Sequence, residues 1–317
     1  MGEAARNLLS QSDLPEVRGR YSINAPLGKV GWFRTGGQAD ILFKPADVED
    51  LQKFLSEVNG NIPVNILGVL SNAIVRDRGV EGVVIRLGRE FNVIKELEDY
   101  QMYFGSAVLD VNAAEAAADK NISGLEFLCG IPGSIGGALA LNAGAYGSEI
   151  RDVLVNAEFI DKKGMRQFLT ADDMKMSYRH SEIPEGWIAV GATLQGRAGD
   201  AEQIKRHMTD IREKRSQTQP IRSQTGGSTF KNPKPEDLAA AGLPEGTKAW
   251  QLVDKVGGRG LTIGGAQMSE LHANFMINTG TATAADLETL GEEIRHRVRE
   301  QCNGYNLQWE IVILGRK

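Results

Sequence analysis

The chain has 317 residues, with 36 Lys plus Arg against 41 Asp plus Glu and a formal net charge of −5. That length has room for two or three compact domains, and the charge balance argues against a dedicated nucleic-acid binder. Glycine is the outlier at 37 residues, about 12% against an average near 7%, beside only 10 prolines. With little proline and no three-residue period, the excess points to tight turns and close approaches in a globular protein.

The N-terminal stretch MGEAARNLLSQSDLPEV has no apolar core of signal-peptide length, Arg6 breaks a myristoylation pattern, and no window is apolar enough to span a bilayer. Residues 1–20 are expected to be an extension. Ile41–Phe43 predicts a short strand, and Asp47 caps a helix carrying Val48, Leu51, Leu55 and Val58. Strands are expected at Ile62–Leu67 and Val83–Leu87, flanking the turn-rich GVLSNAIVRDRGVEG. A second unit opens near Tyr100 with the strand QMYFG and a helix centred on Ala113–Ala118. Seven glycines then fall between Gly124 and Gly147. Strands follow at Val153–Ile160, Arg166–Leu169 and Ile188–Leu194, and a boundary is expected near Gly196–Asp200. Asp200 opens a long helix with Ile204, Met208 and Ile211 on one face, stopped by Pro220. The last helix carries the capping box Thr283–Asp286 and the stripe Leu287, Leu290, Ile294 and Val298. A closing strand is expected over Leu307–Leu314.

Cys129 and Cys302 have neither disulfide-scaffold nor metal spacing, and the four histidines form no metal motif, so no metal is expected. His207 and His296 fall on charged helix faces. Cys129 reads as a small buried hydrophobe. The chemistry is concentrated in the glycine loops, which can turn consecutive N–H groups toward phosphate. The Walker A string is absent, and Gly258-Arg-Gly260-Leu-Thr-Ile-Gly264 is one residue too long for the dinucleotide fingerprint. Ser134, Asn142 and Tyr146 beside the glycines of Gly124–Gly147 suit a large polar cofactor better than close strand packing alone.

The run GLEFLCGIPGSIGGALALNAGAYGSEI (Gly124–Ile150) resembles the flavin-binding core of the UDP-N-acetylenolpyruvoylglucosamine reductase (UDP-N-acetylmuramate dehydrogenase) family, within the vanillyl-alcohol-oxidase-type flavoproteins. The resemblance continues in order. FRTGG (Phe33–Gly37) is similar to the opening segment and Ser71–Ile85 to a pyrophosphate loop. SYRHS (Ser177–Ser181) is similar to an arginine motif, and GGSTFKNP (Gly226–Pro233) to a serine motif. Ala249–Asn278 and Leu307–Gly315 are similar to the C-terminal domain. It implies an α+β fold: a two-part FAD-binding (PCMH-type) domain of mixed sheets and helices over residues 21–198, with subdomains 21–98 and 99–198. An α+β C-terminal substrate-binding domain over residues 199–317 follows. The short link after Arg179 resembles the shorter subtype, without an inserted tyrosine loop.

The activity so implied is NADPH-dependent reduction of UDP-N-acetylenolpyruvoylglucosamine to UDP-N-acetylmuramate through non-covalent FAD, in peptidoglycan precursor synthesis. The implied protein is a cytoplasmic monomer without membrane or nucleic-acid partners. Arg179, Ser228 and Glu310 are the implied catalytic residues. Ser71, Asn72, Gly130, Pro132, Gly133, Ser134, Gly136, Gly137, Asn142, Ala143, Gly144 and Ala145 are implied to hold the cofactor, and Tyr146, Lys231 and Asn232 the substrate.

The residue types suit that chemistry. Hydride addition to an enolpyruvyl ether drives charge onto its carboxylate, which a guanidinium can fork onto, while the neighbouring carbon needs a proton. Ser228 matches the proton donor, although a serine hydroxyl is a weak acid unaided. Glu310 lies in an apolar stretch, at an exposed edge or deliberately buried; buried near flavin it would have a raised pKa and be neutral, assisting Arg179. One departure stands out: Leu70 precedes Ser71-Asn72 where the family usually has glycine. Leucine tolerates positive φ poorly, so either the loop shifts or flavin is held less tightly. Two other readings fit the glycine run: another flavoprotein of the superfamily, such as an oxidase of a small alcohol, and a binding module without catalysis.

Overall fold

The computed structural model describes residues 14–317, so the first thirteen residues of the expected extension lie outside the described residues. The rest of that extension is tied down. Leu14 and Val17 pack on a core, and the N–H groups of Arg18 and Gly19 donate to the Asp50 carboxylate at 2.8 and 2.9 Å.

The described chain divides into two compact units, and neither is continuous in sequence. The first takes Gln38–Gly68 and Val80–Ile211 together with the segment before Pro26; the second takes Pro26–Gly37, Val69–Gly79 and Arg212–Lys317. The division falls inside the helix Ala201–Thr218, later than the boundary expected near Gly196–Asp200. Two early segments also belong to the C-terminal unit, because their partners are far away in sequence. Ala73–Val75 pairs in parallel with Val312–Leu314, and Asp77 accepts hydrogen bonds from the N–H groups of Ala284 and Ala285.

The first unit holds a four-stranded and a five-stranded sheet besides two two-stranded pairs. In one, Gln38–Lys44, Val80–Ile85 and Val64–Ile66 run parallel, and the helix Val48–Val58 supplies Leu51, Phe54 and Leu55 to their core. Asp47 caps that helix by accepting from Asp50 N–H, as its sequence predicts. The other sheet is antiparallel, in the order Arg166–Leu169, Leu154–Ile160, Ile188–Gln195, Gln101–Gly105 and Ile94–Glu96. Its core includes Phe104, Phe159 and Leu194. The helices Asp110–Asp119 and Ile135–Leu141 add Ala113, Ala117, Ile135 and Leu139 to it.

In the second unit a four-stranded sheet (Gln224–Thr225, Met276–Asn278, Ala266–Met268, Thr262–Ile263) shares a core with the helix Ala284–Gln301. That helix has the full Thr283/Asp286 capping box, and Leu287, Leu290, Ile294 and Val298 are buried. The closing strand is shorter than expected, Val312–Leu314. Upstream of it, Trp309 makes only an isolated bridge to Phe230, and its ring fills the space beside Gly291. Among the described residues no helix is long and apolar enough to cross a membrane.

Candidate functional site

In the first unit the glycine run becomes a short helix, Ile135–Leu141, entered from the buried, extended Ser134. Asn142 ends the helix in the left-handed conformation, φ 42°, which asparagine tolerates better than most residues. It is fully buried, and both ends of its amide are engaged. Nδ2 donates to Ser177 O at 2.9 Å and Oδ1 accepts from Arg151 N–H at 2.9 Å. The two-residue strands Gly144–Ala145 and Ser148–Glu149 then pair across Tyr146-Gly147, with φ of 53° and 90°. Positive φ at both positions matches the twist that a two-residue hairpin turn needs.

Arg179 sits in a second tight turn, closed by reciprocal Ser177–His180 backbone hydrogen bonds of 3.0 Å. Its own φ is 53°, a conformation that costs a non-glycine residue about 1–2 kcal/mol. Nη2 donates to Gly144 O at 2.7 Å, and the guanidinium lies 5.1 Å from the Tyr178 ring centroid. Asn142, Gly144 and Arg179 are thus brought together. Residues 181–187 alone separate this turn from the next long strand, too few for an inserted loop.

The glycines divide by use. A Cβ at Gly130 would lie 2.6 Å from Cε2 of Tyr146, so its bareness accommodates that ring, whose hydroxyl donates to Ile211 O. At Gly144 a Cβ would meet Ser148 O at 2.6 Å, a hairpin requirement. The Cβ position of Gly137 is open and exposed, with no atom within 4 Å. Beneath the same stretch, Ser106 Oγ faces the Cβ position of Gly136 at 3.3 Å and is buried without a partner. Both oxygens of the fully buried Asp110 are also unpartnered, and burial drives its carboxyl well above the usual range.

In the second unit, Glu310 meets the Ser71-Asn72 loop and pairs with the segment that carries Ser228, Lys231 and Asn232. Glu310 N–H donates to Thr229 O at 2.9 Å, and Lys231 N–H donates to Gln308 O at 2.9 Å. Ser228 and Glu310 therefore stand on adjacent, bridged segments, both partly buried. Gly226 and Gly227 serve close approach here and not positive φ. A Cβ at the first would strike the Phe33 ring at 2.7 Å, and at the second Asn72 Oδ1 at 3.0 Å. Asn72 Nδ2 donates to Glu310 O at 2.9 Å, so this loop residue holds the glutamate segment. Asn232 Oδ1 accepts from Ala249 N–H and so caps the helix Ala249–Lys255.

Leu70 resolves the departure seen in the sequence. It adopts φ 54°, keeping the turn that glycine would make, and buries its side chain against Gly31. Two residues without an assigned role prove to be braces. Asn274 clasps the backbone of Phe230, and Asn278 donates to Phe33 O at 2.7 Å while accepting from Gly280 and Ala282. The available signal was their position: amides inside the apolar run ANFMIN, where a buried polar side chain needs partners.

Residues 219–314 match the sequence profile described as UDP-N-acetylenolpyruvoylglucosamine reductase, C-terminal domain, and residues 39–169 match an FAD binding domain profile. The chain is 53% identical over 302 residues to the UDP-N-acetylenolpyruvoylglucosamine reductase of Parvibaculum lavamentivorans, covering 95% of this chain and 93% of that one. The chain belongs to the UDP-N-acetylenolpyruvoylglucosamine reductase family. The reductase of Acidiphilium cryptum is 52% identical, covering 95% of this chain and 94% of its own. The crystal structure of the Thermus caldophilus reductase superposes with a TM-score of 0.76 at 30% identity, covering 94% of this chain and 100% of that one. As a member of the family, the chain is an FAD-binding oxidoreductase. The first unit fits such a cofactor: Gly137 leaves backbone bare at the surface, and Ser106 keeps an unpartnered hydroxyl beside the neighbouring Gly136.

Proposed function

We propose that this chain carries out NADPH-dependent reduction of UDP-N-acetylenolpyruvoylglucosamine to UDP-N-acetylmuramate, as a cytoplasmic monomer in peptidoglycan precursor synthesis. FAD, held by the Ser134–Gly137 backbone of the first unit, would supply when bound the relay of hydride from NADPH to the enolpyruvyl double bond. Arg179 neutralises the charge that hydride addition sends onto the substrate carboxylate. Its fixed positive charge suits that task, and the Gly144 carbonyl holds one end of the guanidinium. Ser228 donates the proton to the neighbouring carbon, completing the addition of two hydrogens. Glu310 contributes to stabilising the enolate, and Lys231 and Asn232, on the same segment as Ser228, contribute to holding the substrate.

The observation that carries this reading is the Thr229–Glu310 backbone pairing, which brings the candidate proton donor and the candidate acid onto neighbouring segments. A small-alcohol oxidase would have no use for that pair. The test is a visible absorption spectrum of the purified protein. A yellow protein that bleaches with NADPH and regains its colour with the UDP-sugar supports the assignment. A colourless protein, or one that bleaches but is not reoxidised by the sugar, overturns it.

A further inference from the structure

Ser228 is flanked by a segment gripped from two sides. On one side Asn274, 4% exposed, makes three contacts with the two residues that follow the serine. Its Oδ1 accepts from Phe230 N–H at 3.0 Å, its Nδ2 donates to Phe230 O at 2.8 Å, and its carbonyl accepts from Thr229 N–H at 2.7 Å. On the other side Thr229 O accepts from Glu310 N–H, and Phe230 bridges Trp309. Asn274 is itself oriented, because its N–H donates to Nδ1 of His272 at 3.2 Å. Ser228 makes no hydrogen bond to another described residue, so its placement comes from these neighbours.

We propose that Asn274 is a positioning residue for sugar reduction: its amide locks Thr229-Phe230 and thereby sets the placement of Ser228 relative to Glu310. An amide is required because one side chain must both accept from the N–H and donate to the carbonyl of the same residue, Phe230, with every group desolvated. A displacement of about 1 Å at a reacting group is enough to cost about 100-fold in rate. The inference rests on the assignment of proton donation to Ser228.

The holoenzyme tests it through its two half-reactions, flavin bleaching by NADPH and recolouring by the UDP-sugar, with Ser228→Ala as the control. Asn274→Ala is expected to slow the sugar half-reaction about 100-fold. Flavin content and bleaching by NADPH stay at wild-type values. Backbone hydrogen exchange at Thr229–Phe230 accelerates.

Asn274→Asp is nearly isosteric, which guards against a variant that does not fold. A neutral carboxyl reproduces the donor–acceptor pair and a carboxylate does not. Its sugar half-reaction, relative to wild type, therefore rises as pH falls, whereas that of Asn274→Ala does not. A purely structural residue would lower flavin content, bleaching and recolouring together and give no acid rescue. That result, or unchanged recolouring in folded Asn274→Ala while Ser228→Ala is impaired, overturns the inference. If Ser228→Ala recolours normally, the assignment beneath it has failed instead.

Discussion

The Arg179 turn and the Ser228 segment hold their functional side chains by opposite means. Arg179 sits in a left-handed backbone conformation at a two-residue turn, and its own φ sets where the guanidinium goes. Ser228 lies on a segment whose position is imposed by side-chain amides and by the absence of Cβ atoms at Gly226 and Gly227. The first arrangement concentrates strain in the residue that acts. The second distributes the constraint over neighbours and leaves the acting residue unencumbered. Substitutions near Arg179 should therefore act through backbone conformation as well as lost hydrogen bonds, and those near Ser228 through lost hydrogen bonds alone.

Removing the proton donor is the largest expected break. Ser228→Ala should slow sugar reduction by about 10²–10⁴, the usual worth of a positioned acid, and leave flavin bleaching by NADPH intact. Stopped-flow of each half-reaction checks this, and equal loss in both would show a structural serine. Glu310→Gln should cost less than Ser228→Ala, and activity near wild type would remove the glutamate from the chemistry.

Asn142→Ala probes the other arrangement. It leaves Ser177 O and Arg151 N–H without their partner and puts alanine at φ 42°, so a loss of about 2–4 kcal/mol is expected in denaturant unfolding. Leu70→Gly sets two effects against each other. Relief of the left-handed backbone returns about 1–2 kcal/mol, but loss of a buried leucine costs about 3–5, so glycine destabilises here despite being the residue the conformation prefers.

The smallest effect is that of pH at His272. Burial and then the charge of Arg259 hold this imidazole below its ordinary value, against a weaker opposing pull from Asp254. A depressed folded pKa gives stability that is present above about pH 6.5, the unfolded value, and lost as pH falls through the folded one. Protonation also removes the acceptor for Asn274 N–H. The thermal advantage of wild type over His272→Gln should narrow on acidification, and a constant gap between pH 7.5 and 5 would contradict this.

Local order was well marked in the sequence. Asp47 and Thr283 cap the helices they precede, and strands such as Gln101–Gly105 and Arg166–Leu169 fall where alternation and flanking turns predict. Long-range pairing was not marked. An apolar stretch such as Leu307–Leu314 does not say which residues will find a backbone partner, and only Val312–Leu314 does so as strand. Nothing around residues 26–37 or 69–79 announces that they belong with the C-terminal unit, since their partners lie over 200 residues away. Motif residues were identifiable by type, but the division of labour among them was not. Gly130 makes room for a tyrosine ring, Asn142 braces the arginine turn, and Asn274 grips the serine segment.

The parallel pairing of Ala73–Val75 with Val312–Leu314 also has a consequence for synthesis. The early strand emerges from the ribosome while its partner is still untranslated, and the capping carboxylate of Asp77 waits almost as long for its helix. During that interval the segment has an unpaired edge and part of an apolar core to protect. The second unit can close only once the strand Val312–Leu314 has left the ribosome, about a hundred residues after the last segment of the first unit has been made.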